Sequence, residues 1–548
     1  MPLIDPVSSY IDKLLTPILI NTGLTLDIAK SICALVITFS FALLWPRISG
    51  GNGKHITSAL FGSIFLVFTY GIYQAVVFYF QITVAYILLK IGIAQLKPWV
   101  MFISNISILS LTHLYFYFTA HGIWRIDITA ALMISVQNCT SLAWNLHDGL
   151  KQAEINREQQ LEQNQKQKTP VVRAEHLTRM MITEVPNLIQ FLGYVLFPVS
   201  ISYGPSSEFT MYLQCSKQTE LPKERMKYVI TNLIQGLLMV SYFFHVPDFS
   251  FVFDPVYLSK PWFLRTLQIQ LLTHWIRLRY YSAWCLTTSA MILCGAGYDG
   301  HSWEGSSNIH PLSLESASKP RDFIARWNSG TQRFLKYYIY FRGPKNPKTG
   351  LSVGYMQYVT FLISAFWHGW YPCYAIHFTI DFLLTLIDRL YFDIVPSSFN
   401  QIALPYGLNE NERKIMIERN LKKEQDKQQG KKKKITIFDY VKTFIEWILT
   451  QQMFNFAAAA AYATETDKVI ACYSAMNYWT LIVIAILLSI LIPLNRIKKS
   501  KLSIEQKKKQ NGKDELNAKD QQSLEQGEKL NKEKDIDSEI NLKTDKRD

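Results

Sequence analysis

The sequence is poor in charged residues for its length. Charged residues make up 18% of its 548 residues, whereas hydrophobic residues make up 49%. Soluble proteins usually carry about a quarter charged residues. The charges also crowd into three blocks, at 150–180, 405–435 and 495–548, and the remainder is largely apolar. This distribution argues against a set of soluble domains and favours a protein that lies mainly in a membrane.

The sequence shows neither a Cys-x-x-Cys pair nor the pattern that we expect of a cleavable leader. The seven cysteines are odd in number, form no Cys-x-x-Cys pair and mostly lie in apolar runs. They indicate neither a zinc site nor a disulfide framework, and we expect no bound metal. Residues 1–27 contain Asp5, Lys13 and Asp27 and lack a basic start followed by an apolar stretch. We expect the first apolar span to direct membrane insertion instead.

Long apolar runs are what the sequence has in quantity. A helix needs about 20 mostly apolar residues to cross a bilayer core, and lipid-exposed backbone favours helices because its hydrogen bonds must be satisfied internally. We therefore predict an all-α, polytopic transmembrane helical bundle with about nine to eleven membrane helices. The clearest runs are 28–46, 56–80, 82–97, 99–119, 226–245, 354–368, 372–392 and 467–494.

Charge and hydropathy divide the chain into six predicted parts. The Lys and Arg residues that flank the spans favour the cytoplasmic side, and they account for the net charge of +14. No nucleic-acid-binding module accompanies this charge, so we expect no nucleic-acid partner. The parts are N-terminal transmembrane helices (1–149), a polar cytoplasmic loop (150–180), a transmembrane core with the candidate catalytic residues (181–404), a basic cytoplasmic loop (405–436), C-terminal transmembrane helices (437–494) and a disordered basic tail (495–548).

Residues 295–350 are polar yet dense in aromatic side chains. Such a density is typical of the membrane–water interface or of the surroundings of a bound ligand. From Arg321 to Phe341 the aromatic residues can share one helical face, which predicts a single interfacial helix in that stretch.

Two polar residues stand out as candidates for chemistry. His368 ends an apolar run and is followed by Gly369 and Pro372, which predict a bend between two spans. A neutral imidazole at that bend can act as a general base. Asn328 follows Trp327, and its amide can donate to a developing oxyanion. Taken alone, each residue is also explained structurally, His368 by a helix end and Asn328 by a turn.

Read together, the two segments resemble the membrane-bound O-acyltransferase family. Residues 327–342, Trp-Asn-Ser-Gly-Thr-Gln-Arg-Phe-Leu-Lys-Tyr-Tyr-Ile-Tyr-Phe-Arg, are similar to the family's Trp-Asn segment. Residues 364–372, Ser-Ala-Phe-Trp-His-Gly-Trp-Tyr-Pro, are similar to its catalytic-histidine segment.

Further segments resemble the lysophospholipid acyltransferase branch of that family. They are 141–149, which ends in Asp-Gly, 203–212, which contains Gly-Pro, and 295–300, which precedes the Trp-Asn segment. The sterol and diacylglycerol branch would be expected to place Glu after the histidine, whereas Gly369 follows His368 here.

This resemblance implies a helical bundle with interfacial helices and an internal tunnel in which acyl-CoA and a lysophospholipid meet. It implies an acyl-CoA-dependent lysophospholipid O-acyltransferase of the endoplasmic reticulum, with the lipid bilayer as surroundings, acyl-CoA as co-substrate and no further cofactor. His368 would be the general base for a direct attack, and Asn328 would position a reactant or stabilise charge. Expected substrate contacts are Trp327, Trp367, Tyr338, Asn145 and Asp148, and expected contacts to CoA phosphates are Arg326, Arg333, Lys336 and Arg342.

Two other functions remain open at this point. One is an acyltransferase of the same kind whose acceptor is a protein or a small alcohol. The other is a proton-coupled transporter in which His368 relays protons. A transporter predicts paired charges within spans and repeated halves, and the sequence shows neither.

Overall fold

The computed structural model describes most of the membrane-embedded sequence. It covers residues 5–22, 25–122, 126–161, 175–218, 220–243, 249–298, 302–343, 353–394, 436–501 and 504. The predicted basic loop, apart from its last residue, and almost all of the predicted tail lie outside the described residues.

The regular structure of the described residues is helical throughout, without a strand. Four short 3-10 helices and one π-helical turn interrupt or join the α-helices. The α-helices are α1 (Pro6–Thr22), α2 (Leu26–Leu44), α3 (Asn52–Tyr70), α4 (Ile72–Lys90), α5 (Ile93–Leu96), α6 (Pro98–Thr119), α7 (Thr129–Leu161), α8 (Glu175–Met180), α9 (Leu188–Val195), α10 (Pro198–Ile201), α11 (Phe209–Lys217), α12 (Arg225–Leu238), α13 (Val240–Phe243), α14 (Pro255–Leu258), α15 (Trp262–Cys294), α16 (Pro311–Glu315), α17 (Pro320–Arg326), α18 (Ser329–Phe334), α19 (Val353–His368), α20 (Pro372–Ile394), α21 (Ile437–Ala463), α22 (Thr466–Ala475) and α23 (Trp479–Lys501).

Four of these helices are long and apolar enough to cross a bilayer. They are α2 with the 3-10 turn that follows it, α4, α6 and α23. The predicted all-α membrane architecture is thereby confirmed, while the number of nine to eleven membrane helices stays a prediction. Polar residues reduce the apolar character of other long helices. In α15, for example, Arg277 and Arg279 are both buried inside the protein.

The largest hydrophobic core lies between α2, α3, α4, α6, α7 and α9. Aromatic rings interlock within it, and the ring of Phe197 lies 5.6 Å from that of Phe41 and 5.5 Å from that of Trp45. Helix α3 approaches α9 so closely that a Cβ at Gly62 would lie 1.9 Å from the carbonyl oxygen of Leu196. The absence of a side chain at Gly62 therefore allows this contact between backbones.

The chain divides into two compact units. The first comprises Met1–Asp388 with Ser398–Leu481 and contains the hydrophobic core and every candidate site residue. The second comprises Arg389–Ser397 with Ile482–Asp548. Within the second unit, the side-chain amide of Asn495 donates to a carboxylate oxygen of Asp393 at 3.3 Å.

The prediction of one continuous interfacial helix from Arg321 to Phe341 is wrong. Helix α17 ends at Arg326, α18 begins at Ser329, and a π-helical turn (Leu335–Ile339) and a 3-10 turn follow. The turn-forming Asn-Ser-Gly sequence explains the first break, because Asn328 adopts the left-handed backbone conformation at φ 45°. The shared aromatic face is buried against the bundle, and the ring of Phe323 stacks on that of Phe454 at 4.2 Å.

Candidate functional site

His368 lies at the bend that its neighbours predict. Helix α19 ends at His368, Gly369 follows with φ 132°, and Pro372 begins α20. Glycine accepts this positive φ, which ordinary side chains disfavour, and proline is suited to the first turn of a helix. The imidazole therefore projects between two helices and remains half-buried rather than sealed in a core.

Aromatic and imidazole rings surround His368. Its ring stacks on Phe378 with centroids 5.2 Å apart and lies 5.5 Å from the ring of Tyr374. Both neighbours belong to α20, so the helix after the bend folds back over the imidazole. His113 of α6 and His377 of α20 also lie within electrostatic range of His368.

Trp367 anchors the end of α19. Its indole nitrogen donates to the carbonyl oxygen of Met133 at 3.0 Å, and its own carbonyl lies 3.2 Å from Nε2 of His113. The side chain is buried. These contacts fix the position of the adjacent His368, and the predicted contact of Trp367 with substrate stays a prediction.

Asn328 presents its amide in an unusual way. It occupies the N-cap position of α18, yet its side chain makes no capping hydrogen bond. Within the part of the chain that the structure describes, this partly exposed amide has no hydrogen-bond partner. A residue held in the left-handed conformation carries a modest strain of the kind that concentrates at functional sites. The amide is therefore available to a ligand.

Two distant segments hold Asn328 in this conformation. The backbone carbonyl and the side-chain amide oxygen of Asn308 accept from the amide nitrogens of Ser329 and Gly330, at 2.9 Å and 3.2 Å. A Cβ on Gly330 would lie 2.5 Å from the amide oxygen of Asn308 and 2.9 Å from Cβ of Pro205. The Trp-Asn segment, the Gly-Pro segment and the segment around Asn308 thus meet at one place.

A chain of aromatic residues links the surroundings of Asn328 to those of His368. The ring of Trp327 lies 5.0 Å from Trp284 and 5.8 Å from Tyr280, both on α15. The hydroxyl of Tyr280 lies within electrostatic range of Tyr374, whose ring faces His368. Aromatic side chains of α15 and α20 therefore connect the two segments.

Three tyrosine side chains and His368 form a partly exposed cluster. The ring of Tyr280 on α15 lies 6.1 Å from that of Tyr462 on α21, and Tyr374 on α20 lies within electrostatic range of Tyr280. Tyr280 is 40% exposed, and His368, Tyr374 and Tyr462 are also partly exposed.

A polar cavity lies beside α18. Its lining includes Gly330, two residues beyond Asn328, together with Glu208 and Arg333. The guanidinium of Arg333 lies within electrostatic range of Glu304 and Glu208 and faces this cavity without a hydrogen bond to a described residue. Of the four predicted contacts to CoA phosphates, Arg333 is the one that lines a cavity described here.

Glu208 is the main residue of this cavity that sequence reasoning missed. Its carboxylate accepts from Tyr338 and Asn145, each at 2.9 Å, and lies 3.5 Å from Nε2 of His176. Burial acts to raise the pKa of Glu208, but the nearby His176 and these donors outweigh burial and hold the pKa below its usual value. The available signal in the sequence was that Glu208 is the one charged residue in segment 203–212. Two predicted substrate contacts, Tyr338 and Asn145, are joined by this carboxylate.

The other predicted contacts are engaged within the protein. Arg342 forms a bidentate ion pair with the buried Asp148, and its guanidinium lies 4.3 Å from the ring centroid of Trp144. Arg326 donates to the carbonyl of Ser313, and Lys336 lies 5.2 Å from the ring of Tyr337. Their predicted roles with substrate stay predictions.

Known proteins resemble this chain over most of its length. The sequence model of a family described as MBOAT, membrane-bound O-acyltransferase family, matches residues 113–410, which include Asn328 and His368. A lysophospholipid acyltransferase of Saccharomyces cerevisiae is 25% identical over 419 residues, covering 70% of this chain and 65% of the yeast protein. The chain thus spans slightly less than two thirds of that relative.

Two further relatives are covered more fully. Lysophospholipid acyltransferase 2 of Arabidopsis thaliana is 26% identical over 389 residues, covering 66% of this chain and 78% of the plant protein. Membrane-bound glycerophospholipid O-acyltransferase 1 of Homo sapiens is 25% identical over 410 residues, covering 67% of this chain and 76% of the human protein.

Proposed function

The chain belongs to the membrane-bound O-acyltransferase family, and on that premise we propose that it transfers a fatty acyl group from acyl-CoA to the free hydroxyl of a lysophospholipid. Its relatives include lysophospholipid acyltransferases of Saccharomyces cerevisiae and Arabidopsis thaliana. One observation supports the proposal most strongly. Aromatic side chains connect the segment that carries the half-buried imidazole of His368 with the segment that carries the amide of Asn328, which has no hydrogen-bond partner among the described residues.

The proposed reaction joins the hydroxyl oxygen of the lysophospholipid to the thioester carbonyl carbon and breaks the carbon–sulfur bond. The imidazole of His368 accepts the hydroxyl proton as the oxygen attacks and then returns it to the departing thiolate. The two substrates supply every atom of the products. General-base catalysis of this kind typically contributes about 10²–10⁴-fold.

In the proposed reaction, Asn328 acts on the thioester of acyl-CoA. Its side-chain amide donates to the carbonyl oxygen as negative charge develops on it. A donor that is already oriented costs no reorganisation when the reaction occurs, and an enclosed site strengthens the interaction. The fixed left-handed backbone at Asn328 supplies that orientation.

Acyl transfer by the purified protein tests this function directly. We expect the full-length protein in detergent to convert labelled acyl-CoA and a mixture of lysophospholipids into diacyl phospholipids and free CoA. Parallel reactions offer a small alcohol and a peptide as acceptors. Acylation of only the alcohol or the peptide, or of no acceptor, would contradict the proposed function.

The polar cavity beside Asn328 suits an anionic part of acyl-CoA. We expect Arg333→Gln to raise the KM for acyl-CoA about tenfold, since a hydrogen bond to a charged group contributes about 1.5–3 kcal/mol. The kcat should change by less than about threefold, because Arg333 would stabilise acyl-CoA equally in the enzyme–substrate complex and in the transition state. Steady-state kinetics with varied acyl-CoA measure both. The exposed Arg47 provides a control, and an equal KM change in Arg47→Gln would count against the assignment.

The close packing at Gly330 predicts a second effect on turnover. We expect Gly330→Ala to lower kcat by about 10²-fold, because the added Cβ displaces the Asn308 contact that positions Asn328. Gly53→Ala is the matched control, since a Cβ there meets its nearest atom, of Ile48, only at 3.7 Å. Full activity of Gly330→Ala would show that the backbone at Asn328 needs no such support.

The proposed compartment is the endoplasmic reticulum membrane, where acyl-CoA and lysophospholipids are both accessible. Fractionation of cells that express a tagged full-length chain should place it with endoplasmic reticulum markers. Recovery with another organelle would change the compartment and leave the reaction unaffected.

A further inference from the structure

One face of α6 contacts the bend that carries His368. Nε2 of His113 lies 3.2 Å from the carbonyl oxygen of Trp367, the residue before His368. Three residues earlier on α6, the carbonyl and the hydroxyl of Ser110 accept from the indole nitrogen of Trp370 at 3.0 Å and 2.9 Å. Because residues three apart share one face of a helix, this face of α6 holds the chain both before and after His368.

His113 also packs against Gly369, at the turn itself. A Cβ added to Gly369 would lie 3.3 Å from Nδ1 and 3.5 Å from Cγ of His113. Gly369 is buried and has φ 132°, a backbone conformation that glycine adopts readily. The half-buried imidazole of His113 therefore fills the space beside the turn and leaves the chain little room to move there.

The contact with Trp367 determines which nitrogen of His113 carries the proton. A carbonyl oxygen accepts and cannot donate, so Nε2 is the protonated nitrogen in this contact. In the neutral imidazole Nδ1 then has the lone pair, and that atom lies beside Gly369. The carbonyl groups in the last turn of a helix lack partners within the helix. His113 supplies such a partner at the end of α19.

The bonded carbonyl belongs to the peptide unit that joins Trp367 to His368. A peptide unit is planar, so this carbonyl and the Cα of His368 lie in one plane. A hydrogen bond that fixes the carbonyl therefore also fixes the plane from which the side chain of His368 projects. His113 is thus placed to determine the direction of the His368 imidazole without touching it.

We propose that His113 is a positioning residue for acyl transfer, and that its hydrogen bond to the peptide between Trp367 and His368 orients the imidazole of His368 toward the acceptor hydroxyl. The inference rests on the proposed function and adds to it a residue that contacts neither substrate. A misplacement of about 1 Å can lower a reaction rate about 10²-fold. The hydrogen bond of His113 therefore affects turnover through His368 alone.

The first test compares turnover with substrate binding in the full-length protein in detergent. We expect His113→Leu to lower kcat by about 10–10²-fold, because the donor is lost while an apolar side chain still fills much of the space. The KM values for acyl-CoA and lysophospholipid should stay within about threefold, since His113 contacts neither. Steady-state kinetics measure both. A raised KM with an unchanged kcat would overturn the inference.

Two amide variants separate the hydrogen bond from the imidazole. The amide nitrogen of glutamine lies as many bonds from Cα as Nε2 of histidine does, and that of asparagine lies one bond closer. We expect His113→Gln to keep kcat within about threefold of the wild type, and His113→Asn to lose about as much as His113→Leu. Equal losses in the two amide variants would overturn the inference. This pair decides the question even if His113→Leu does not fold.

His147 provides a matched control at the end of another helix. Its Nδ1 lies 2.7 Å from the carbonyl oxygen of Gln95 in α5, so it makes the same kind of contact as His113. His147→Leu should keep kcat within about threefold, because no reacting group adjoins that carbonyl. Size-exclusion chromatography confirms that each variant is folded. A kcat loss in folded His147→Leu equal to that in His113→Leu would overturn the inference.

A double-mutant cycle tests whether His113 acts through His368. In a His368→Ala background, His113→Leu should change the single-turnover rate by less than about threefold, because no imidazole remains to be oriented. A further loss of about tenfold or more would overturn the inference. If the wild-type protein acylates lysophospholipids and His113→Leu does so with the same kcat, the inference fails and the proposed function stands. If the wild-type protein acylates no lysophospholipid, both fail.

Discussion

His368→Ala should lower the kcat of acyl transfer by about 10³-fold or more, because it removes the imidazole that takes the hydroxyl proton as the oxygen attacks. The KM for acyl-CoA should stay within about threefold, since the imidazole acts on the acceptor. The variant should still insert into membranes and purify as a single species. Single-turnover transfer from labelled acyl-CoA to a lysophospholipid measures the chemical step without product release.

A second histidine variant separates the loss of a base from general damage. His121→Ala removes an exposed imidazole near the end of α6, whose ring lies 5.2 Å from Tyr371. It should retain most of the wild-type activity. Retention of most activity in His368→Ala would reject His368 as the base.

Asn328→Ala should lower kcat by about 10²–10³-fold, the loss that follows removal of one donor to a developing oxyanion. Asn328→Gly should lower kcat equally. Glycine adopts the left-handed backbone at φ 45° without strain but has no amide. The pair of variants therefore distinguishes the side chain from the backbone, and the same kinetic assay measures both.

A different result would contradict the proposed role of the Asn328 amide. If Asn328→Gly kept nearly full activity while Asn328→Ala lost it, the backbone conformation and not the amide would be what the reaction needs. Asn232→Ala is the control, because Asn232 lies on α12 with its amide bonded to the carbonyl of Tyr228, four residues earlier in the same helix. It should leave turnover unchanged.

Local sequence signals predicted the surroundings of His368 well. Glycine and proline after a long apolar run determine the backbone conformation of only a few neighbouring residues. The end of α19 and the start of α20 could therefore be located directly from the sequence. The same reasoning failed for residues 321–341. Their aromatic periodicity suits one helix, but hydrogen bonds from the distant Asn308 stabilise a break at Asn328.

Contacts between distant segments could not be predicted from the sequence. Glu208 is joined to Asn145 and Tyr338 only after three parts of the chain fold together. The ion pair between His377 and Asp381 of α20 is different, because its spacing of four residues could have been recognised in the sequence as one face of a helix.

The family resemblance and the structure reveal different features of the protein. The resemblance indicated the order of the segments and the reaction class, and the family match over residues 113–410 agrees with it. The contacts between α15, α20 and α21 follow from the packing of particular tyrosines, such as Tyr280 against Tyr462. Neither composition nor hydropathy contains that information, because both average over the two faces of each helix.

The most direct test of the central claim is a cryo-electron microscopy structure of the full-length protein in lipid nanodiscs with a non-hydrolysable acyl-CoA analogue. The account predicts that the amide of Asn328 lies within hydrogen-bond reach of the analogue's carbonyl oxygen, about 2.6–3.2 Å. It also predicts that the imidazole of His368 faces the same carbonyl carbon across a continuous internal space. A structure in which Asn328 and His368 open into separate compartments, or in which the carbonyl lies away from both, would contradict it.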